Sequence, residues 1–440
     1  MREEDLVVQN PWWARRESIL EDEKVKAAMG RTHRLLHRFE EGNFLIVGPR
    51  QAGKTTYLKL LVKDLLDRVN PRTVMYFACD LLRNYEEIVE AVRIFDRLGG
   101  EGRKYLFLDE VTFVDGWERA VKFILDSPLS AGKCFYITGS SSIGLKRERF
   151  PGRNIRVREF MPLDFRGFCG LFCSEELRLA LEKVKLSRLR AREAFKVGEE
   201  LMVFFDEILR LFSSYVQSGG YPRAFFELME GGGISEETYR SCFDATVFDV
   251  TKLGRSEKIA ASLLQGVLRR YGSKFSLNSL AKETEIGSHL TVRDYLEMME
   301  GLCVLRSYHQ VDLPRKVVLY RKERKVYFTD PFLCQTFSRI LNVKIDQAQL
   351  VEGMIGEHLT RSFGEVHFHA GKRELDFVVG ETGVELKWQE HASPGDFPRT
   401  GLPEKILLTK HDLGYDEGRN LAMIPAPLFL LALRTGGARA

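Results

Sequence analysis

The sequence predicts an α/β protein that begins with a parallel sheet covered by helices and ends with a second, smaller α/β region. Between residues 44 and 160, short apolar runs alternate with segments whose apolar residues recur at helical spacing. This alternation favours a parallel sheet, because the connection between parallel strands has to cross a face of the sheet and usually forms a helix. From residue 163 the spacing is mainly helical, and strand-like segments begin again at residues 304 and 366.

Length and charge limit the functions that the chain can have. With 440 residues it is long enough for about two to four domains. Its formal net charge is only +4, so we expect no general attraction to polyanions, and any nucleic-acid site has to be local. The seven cysteines are an odd number without the paired spacing of a zinc site, which indicates reduced thiols and a cytoplasmic protein.

The sequence does not predict a membrane anchor. The first residues are charged and lack the apolar core of a signal peptide. The most apolar segment, residues 421–433, is interrupted by Pro425 and Pro427 and is too short to span a bilayer. We therefore expect no membrane partner.

A phosphate-binding loop is predicted between the first strand and the helix after it. Residues 44–47 are apolar and the segment after residue 56 has helical spacing, so the loop lies in the strand–loop–helix context of a P-loop. Its two glycines allow the backbone to curl so that N–H groups point at phosphate oxygens. The alternative is a glycine-rich turn with a solvated lysine. The residues predicted to bind ATP are Gly48, Pro49, Arg50, Gln51, Ala52, Gly53, Lys54, Thr55 and Thr56.

Specific roles can be assigned to side chains in the loop and after the next strands. The ammonium group of Lys54 would contact the β- and γ-phosphates, and the hydroxyl of Thr55 would bind Mg²⁺. Asp109 follows the apolar run 105–108 and suits the water shell of Mg²⁺, while Glu110 suits orienting the attacking water. A serine after a further strand, Ser140, could contact the γ-phosphate or the water. The alternative for the two acids is a solvated turn.

The helical region contains one strongly basic stretch. Between Arg178 and Lys196 the sequence has seven basic and two acidic residues. Such a stretch is usually a solvated helix face, and contact with nucleic acid is the alternative.

Three amphipathic helices and two strand-like segments predict a winged helix. The helices cover residues 259–271, 276–285 and 288–302, with Ser276 and Ser288 as expected N-caps. Six basic residues and one acidic residue lie between residues 315 and 325, which predicts a basic wing. The third helix would present side chains to the major groove of DNA, or the module would serve protein contacts instead. The side chains predicted to face the groove are His289, Thr291 and Arg293.

The last region contains a candidate metal-dependent site. Glu385 and Lys387 lie on one face of a strand because side chains alternate, and Asp376 on the neighbouring strand can converge on them. Two carboxylates, Asp376 and Glu385, that hold a divalent cation beside a lysine are suited to cutting phosphodiesters. A further ligand could come from Glu352 or Glu357. The alternative is a mutual salt bridge in a site without activity.

These residues together resemble a known family. The loop 48–56, the run 106–110, the Gly219–Pro222 turn, the segment 325–330 and the acidic strand pair are similar to those of a prokaryotic group of AAA+ ATPases. The resemblance implies an AAA+ core, a winged helix and a C-terminal domain like the PD-(D/E)XK nucleases. The residues at 10–13 resemble archaeal members. It also implies that Arg153, just before the fifth strand, is an arginine finger that reaches a neighbouring subunit in a homo-oligomer.

The predicted domains are an AAA+ core over residues 1–170, a helical lid over 171–258, a winged helix over 259–325 and a nuclease-like domain over 326–440. The predicted function is an ATPase that couples its nucleotide state to DNA binding and, if the last domain is active, cuts DNA. The alternative is a nucleotide-gated switch that binds protein partners, with the nuclease-like domain as a scaffold. A small-molecule kinase is a weaker third hypothesis, because no segment suggests a substrate pocket.

Overall fold

The computed structural model describes residues 2–31, 40–140 and 150–433. The chain divides into two compact units, which we call unit 1 (Met1–Met161) and unit 2 (Pro162–Ala440). Two serines that follow Ser140 in the sequence lie outside the described residues.

Unit 1 is built on five parallel strands. The strands are β1 (Phe44–Val47), β2 (Val74–Ala78), β3 (Lys104–Asp109), β4 (Lys133–Gly139) and β5 (Arg156–Glu159). Their order is β2-β3-β4-β1-β5, and every pairing is parallel. The predicted parallel sheet is therefore confirmed. Because all strands run the same way, the segments that follow β1, β3 and β4 meet at one edge of the sheet.

Helices cover both faces of this sheet. The described α-helices of unit 1 are α1 (Glu3–Gln9), α2 (Glu23–Arg31), α3 (Lys54–Leu66), α4 (Tyr85–Leu98) and α5 (Trp117–Asp126). Alternate strand residues, such as Ile46 and Phe107, are buried with apolar residues of α3. Their neighbours along the strands, such as Leu45 and Leu108, are buried with residues of α4 and α5. Burial on both faces explains why the strands are apolar runs without alternation.

Unit 2 begins with helices. These are α6 (Phe165–Phe172), α7 (Glu175–Lys183), α8 (Ala191–Met202), α9 (Phe205–Ser218), α10 (Pro222–Gly231) and α11 (Glu236–Lys252). The basic stretch 178–196 is not one helix, because α7 ends at Lys183 and α8 begins at Ala191. Between them Leu186 and Leu189 are buried, and the N–H of Leu186 donates to the carbonyl of Ala432.

The three helices predicted next are present. They are α12 (Glu257–Arg269), α13 (Leu277–Glu283) and α14 (His289–Gly301), followed by β6 (Leu305–Asp312), β7 (Val317–Val318) and β8 (Arg324–Phe328). The hydroxyl oxygens of Ser276 and Ser288 accept hydrogen bonds from backbone N–H groups in the first turns, so both are N-caps. Strand β6 pairs antiparallel with β7 and with β8.

The remaining elements extend the sheet that contains β6. They are α15 (Pro331–Ile340), α16 (Gln347–Phe363), β9 (His367–Ala370), β10 (Glu374–Val379), β11 (Thr382–Lys387), β12 (Glu404–Thr409), β13 (Gly414–Asp416), β14 (Leu421–Pro425) and α17 (Ala426–Ala432). The strand order is β13-β14-β12-β11-β10-β9-β6-β7. Strand β8 also pairs with β6, on the side opposite β9. The predicted domain boundary at residues 325 and 326 falls inside β8. The division into four domains stays a prediction.

The apolar segment near the C-terminus folds as β14 and α17, and its side chains are buried. Among the residues with a described structure, no helix is long and apolar enough to cross a membrane.

The turn at Gly219 and Gly220 in unit 2 packs so closely against other residues that it requires glycine at both positions. A Cβ atom on Gly219, whose φ is +55°, would lie 1.8 Å from a carboxylate oxygen of Asp330. A Cβ atom on Gly220 would lie 2.0 Å from the carbonyl oxygen of Leu163. The N–H of Gly220 donates to Asp330 at 2.9 Å, and its carbonyl accepts from the N–H of Leu163. The turn is therefore shaped by close packing.

Candidate functional site

The loop between β1 and α3 has the backbone geometry that its glycines allow. The N–H of Phe160 donates to the carbonyl of Val47 at 2.6 Å, which brings the end of β5 against the loop. A Cβ atom on Gly48 would lie 2.0 Å from the carbonyl oxygen of Phe160. Gly53 has a φ of +98° and is the N-cap residue of α3. Because this cap has no side chain, the N–H groups of the first turn face the loop without a side-chain acceptor at the cap position.

Lys54 is folded back on its own loop. Its side chain is 4% exposed, and Nζ donates to the carbonyl oxygens of Gly48 at 2.9 Å and Pro49 at 2.8 Å. With a nucleotide bound, phosphate oxygens would accept the hydrogen bonds that Nζ of Lys54 here donates to these two carbonyls. A buried ammonium at the N-terminus of a 13-residue helix fits an anionic ligand.

The remaining loop residues predicted to bind ATP precede and follow Lys54 in the sequence. The guanidinium of Arg50 lies over the ring of Phe113, 4.9 Å from its centroid. Gln51 is exposed and has a φ of +62°, a left-handed conformation that few residues other than glycine adopt. Thr55 and Thr56 are half-buried in the first turn of α3, and Pro49 and Ala52 are buried.

Asp109 is held by two hydroxyl groups at the carboxyl end of β3. The carboxylate is 2% exposed, and Oδ2 accepts a hydrogen bond from the hydroxyl of Tyr76 at 2.7 Å. Oδ1 accepts from the hydroxyl of Thr138 on β4. Burial, and then the charge of Asp109, raise the pKa of Tyr76, so this phenol remains a donor.

Glu110 follows directly and has a strained backbone. Its φ is 54° and its ψ is 40°, and its N–H donates to the hydroxyl oxygen of Thr138 at 2.9 Å. A non-glycine residue in this conformation costs about 1–3 kcal/mol and is common at functional sites. Ser140 is 3% exposed, and its N–H donates to the hydroxyl of Thr112 at 3.2 Å.

The donor set at this edge fits a nucleotide with Mg²⁺. Parallel pairing places the segments after β1, β3 and β4 at the same edge, so the loop, Asp109 and Ser140 lie on one side of the sheet. A carboxylate, Asp109, and a hydroxyl, Thr55, are hard oxygen ligands of the kind that Mg²⁺ prefers. Sequence reasoning missed Tyr76, Thr112 and Thr138. Of these only Thr138, at the end of an apolar run, had a signal in the sequence.

Arg153 is not brought to this edge. It precedes β5, so it lies near the amino ends of the strands, opposite the loop of its own chain. Nε and a terminal nitrogen donate to the two carboxylate oxygens of Asp126 at 2.8 and 2.6 Å. This bidentate hydrogen bond lowers the pKa of Asp126.

The predicted C-terminal residues do lie together in unit 2. The N–H of Asp376 donates to Oε2 of Glu385 at 3.2 Å, and the N–H of Leu386 donates to Oδ2 of Asp376 at 3.0 Å. The ammonium of Lys387 forms an ion pair with Glu385. Burial, and then the charge of Asp376, raise the pKa of Glu385 to about 8.

A second lysine occupies the centre of this group. Lys325 on β8 is 1% exposed, and its Nζ lies 2.8 Å from Glu352, 2.7 Å from Glu374 and 3.2 Å from Asp376. Burial, and then the charge of Asp376, raise the pKa of Glu352 to about 7. We call Glu352, Glu374, Asp376 and Glu385 the carboxylate cluster.

The carboxylate cluster does not fit the predicted metal site. Over residues 2–31, 40–140 and 150–433, no three histidine, cysteine or acidic side chains are grouped so as to hold a metal ion. Glu357, an alternative ligand in the prediction, is paired instead with Arg306 and Arg361. Lys325 belonged to the predicted wing, and its buried ammonium takes the central position.

The basic wing is smaller than predicted. Four of its six basic residues are exposed, Arg324 is half-buried and Lys325 is buried. The backbone of Arg324 is paired with that of Phe275, each N–H donating to the other residue's carbonyl at 2.9 Å. The exposed residues are Arg315, Lys316, Arg321 and Lys322.

The third helix is a weaker candidate for a DNA contact. His289 and Arg293 are exposed and Thr291 is half-buried. The guanidinium of Arg293 lies 3.7 Å from Asp294 and 3.8 Å from Glu297, so acidic side chains of the same helix compete for it.

The parallel sheet, the loop between β1 and α3 and the two acids after β3 all lie in one segment that a known family model matches. Residues 40–169 match the family model described as an AAA domain, and residues 209–344 match a domain of unknown function. The first match covers the sheet, the loop and both acids.

Curated relatives occur in the archaeon Methanocaldococcus jannaschii. The uncharacterized protein MJ1637 is 25% identical over 303 residues, which are 64% of this chain and 60% of the relative. The uncharacterized protein MJ1544 is 24% identical over 364 residues, which are 78% of this chain and 73% of the relative. This chain therefore spans less than two thirds of the length of the first relative.

Solved structures show weaker similarity. The Orc1 protein of Aeropyrum pernix in complex with DNA is 14% identical, with 74% of this chain and 92% of that chain covered and a TM-score of 0.29. The AMPPCP-bound DnaA of Aquifex aeolicus is 16% identical, with 64% and 86% covered and a TM-score of 0.24.

Proposed function

We propose that the protein is an ATPase whose nucleotide state controls its binding to DNA. The proposal of ATPase activity rests on Lys54, whose buried ammonium donates to loop carbonyls at the N-terminus of α3. Asp109 and Glu110 lie at the same edge of the sheet. The loop, Lys54 and the two acids are the kinds of group that transfer of a phosphoryl group to water requires.

Each residue has a role in the proposed reaction. Lys54 and the N–H groups of the first turn of α3 bind the β- and γ-phosphates. Thr55 and Asp109 would hold Mg²⁺, which when bound neutralises charge that develops on the phosphates. Glu110 orients the attacking water, and the hydrogen bond from its N–H to Thr138 keeps it at the end of β3.

Arg153 would act only on a neighbouring subunit. Its position near the amino ends of the strands favours action in trans, because the loop of its own chain lies at the opposite edge. Homo-oligomerisation is therefore part of the proposal. Arg153 would have to leave Asp126 to reach a second nucleotide.

DNA is the proposed partner of unit 2. Helices α12, α13 and α14 followed by β6, β7 and β8 have the order of a winged helix, and four basic side chains are exposed on the wing. We place the phosphate contacts on the wing, since Arg293 is engaged by acids of its own helix.

The ATPase rate with and without duplex DNA tests the proposal. Wild type should hydrolyse ATP, DNA should change the rate, and Lys54→Ala should abolish ATP binding in calorimetric titration because the ammonium of Lys54 binds the phosphates. Lys63→Ala is the matched control, since Lys63 lies on the same helix and pairs with Asp64 and Asp67. Equal ATP affinity of wild type and Lys54→Ala would refute the P-loop assignment.

A second candidate, the nucleotide-gated switch with a nuclease-like scaffold, is favoured by one observation. The ammonium of Lys325 contacts three carboxylates within 3.2 Å, where a nuclease would bind a divalent cation. A tethered ammonium neutralises the cluster and competes with any metal ion. Removing it would leave half-buried carboxylates uncompensated, at a cost below the roughly 3–5 kcal/mol of a broken, fully buried pair.

Metal titration and a nicking assay separate the two candidates. In the scaffold hypothesis wild type does not nick supercoiled DNA with Mg²⁺ or Mn²⁺, with or without ATP. Without nucleotide, Mn²⁺ should raise the melting temperature of Lys325→Met more than that of wild type or of the exposed-site control Lys322→Met. Nicking by wild type that disappears in Glu385→Ala would instead establish a nuclease.

A further inference from the structure

The outer edge of β2 is covered by side chains from the N-terminal segment, which we define as residues 2–31. Asn10 is fully buried, and its Oδ1 accepts from the N–H of Tyr76 at 2.7 Å. Its Nδ2 donates to the carbonyl of Tyr76 at 2.9 Å and to the carbonyl of Leu6 at 2.7 Å. One amide side chain therefore makes both hydrogen bonds that a neighbouring strand would make to Tyr76.

Residues next to Asn10 contact the backbone of β2 on either side of Tyr76 in the sequence. Oε1 of Gln9 accepts from the N–H of Ala78 at 2.8 Å. The indole N–H groups of Trp12 and Trp13 both donate to the carbonyl of Val74, at 3.0 and 2.8 Å. An edge strand otherwise exposes unpaired backbone groups. This segment therefore fixes the outer edge of β2 at its centre, Tyr76, and at its two ends, Val74 and Ala78.

Tyr76 connects this edge to the candidate nucleotide site. It is the residue whose backbone Asn10 holds, and its hydroxyl donates to Oδ2 of Asp109. Rotation about the Cβ–Cγ bond of an aspartate is only weakly restricted by itself. One donor on each oxygen, Tyr76 and Thr138, therefore fixes the plane of the Asp109 carboxylate.

The same segment also contacts the helix that follows the loop. Asp22 accepts a hydrogen bond from Nζ of Lys59 at 2.5 Å, and Lys59 lies on α3. That ammonium lies 5.2 Å from the centroid of the Tyr76 ring. The N-terminal segment thus holds both β2 and α3.

We propose that Tyr76 and Asn10 are positioning residues for Asp109: the N-terminal segment fixes β2, and the Tyr76 hydroxyl fixes the orientation of the carboxylate that would hold Mg²⁺. This inference rests on the proposed ATPase function. It assigns the N-terminal segment a role in metal-dependent nucleotide binding in addition to covering the sheet.

Calorimetric ATP titrations of the full chain, with Mg²⁺ and with EDTA, test this role. Tyr76→Phe removes only the hydroxyl, so it should weaken ATP binding with Mg²⁺ about tenfold, the order expected when a hydrogen bond to a charged group is removed. Binding in EDTA should stay within about twofold. The control Tyr136→Phe removes the hydroxyl of another buried tyrosine of the same sheet, which donates to the carbonyl of Glu40, and should leave the gain from Mg²⁺ unchanged.

Asn10 tests the connection through β2. Asn10→Ala should reduce the gain in affinity from Mg²⁺, and adding it to Tyr76→Phe should produce no further reduction, since it acts through Tyr76. Circular dichroism and melting temperature establish that each variant is folded. Tyr76→Phe is the decisive variant if Asn10→Ala does not fold.

The possible outcomes are distinct. An unchanged Mg²⁺ dependence in Tyr76→Phe, or equal weakening with Mg²⁺ and with EDTA, would overturn the positioning role while the ATPase proposal stands. If wild type does not bind ATP in either condition, both proposals fail.

Discussion

The hydroxyl of Thr138 donates a hydrogen bond to Oδ1 of Asp109 and accepts one from the N–H of Glu110 at 2.9 Å. A single side chain on β4 therefore contacts both acids at the end of β3. It fixes one oxygen of the first acid and the strained backbone of the second. Any change in the position of β4 would be transmitted to both acids.

Glu110→Gln should retain ATP binding and slow hydrolysis by about 10²-fold or more. Glutamine keeps the size of the side chain but is a poor proton acceptor, and general-base groups contribute on that order. Single-turnover hydrolysis and ATP titration measure the two effects. The exposed-site variant Glu101→Gln should behave as wild type, and hydrolysis by Glu110→Gln at the wild-type rate would transfer the role to another residue.

Arg153→Ala should slow hydrolysis only at protein concentrations where the chain assembles. A mixture of Arg153→Ala with Glu110→Gln should exceed the activity of either alone, because each supplies the group that the other lacks. Asp126→Ala is the control: it breaks the ion pair but leaves the arginine in place. Exposed ion pairs contribute little to stability, so equal loss of activity in both variants would argue for a local structural role.

Removing two basic side chains of the wing should weaken DNA binding and its dependence on salt. Arg321→Ala combined with Lys322→Ala should reduce the slope of log K against log salt by about 0.9 for each phosphate that the variant no longer neutralises. Arg324 is excluded from this test because it is half-buried. The control pair Lys185→Ala and Arg188→Ala is exposed between α7 and α8. A reduced slope in the control alone would place the DNA-binding surface there.

Glu385→Gln should change how stability depends on pH. Burial, and then the charge of Asp376, raise the pKa of Glu385 from its ordinary value of 4.5 to about 8 in the folded chain, so the folded form binds the proton more tightly. Its contribution is fully present below about 4.5 and is lost as the pH rises through about 8. The melting temperature of Glu385→Gln should therefore rise relative to wild type between pH 5 and pH 8. The exposed-site control Glu381→Gln should show no such trend, and a constant difference for Glu385→Gln would contradict the shift.

The sequence predicted the parts of the fold that depend on neighbours along the chain. The P-loop residues are contiguous, and Asp109 and Glu110 end an apolar strand, so both were recognised from spacing alone. The caps at Ser276 and Ser288 were predicted for the same reason. Parallel pairing then places the loop and the acids at one edge without further information.

Interactions between distant residues could not be predicted in this way. Asn10 and Tyr76 are 66 residues apart, and a buried asparagine has no distinctive pattern in a sequence. Lys325 looked like a member of a basic surface run because its neighbours are charged. Its burial depends on β8 pairing with β6 and facing α16 and β10, which only the folded chain determines.

The parallel pair of β6 and β9, His309 with His367, makes the strands behind the wing continuous with those that bear the carboxylate cluster. A chain shortened after residue 325 would lack most of β8 and all of β9, and both sides of β6 would then expose unpaired backbone groups. Such edges recruit strands from other molecules. A wing fragment prepared in this way should therefore aggregate, and DNA binding by the wing is best measured on chains that retain the whole sheet.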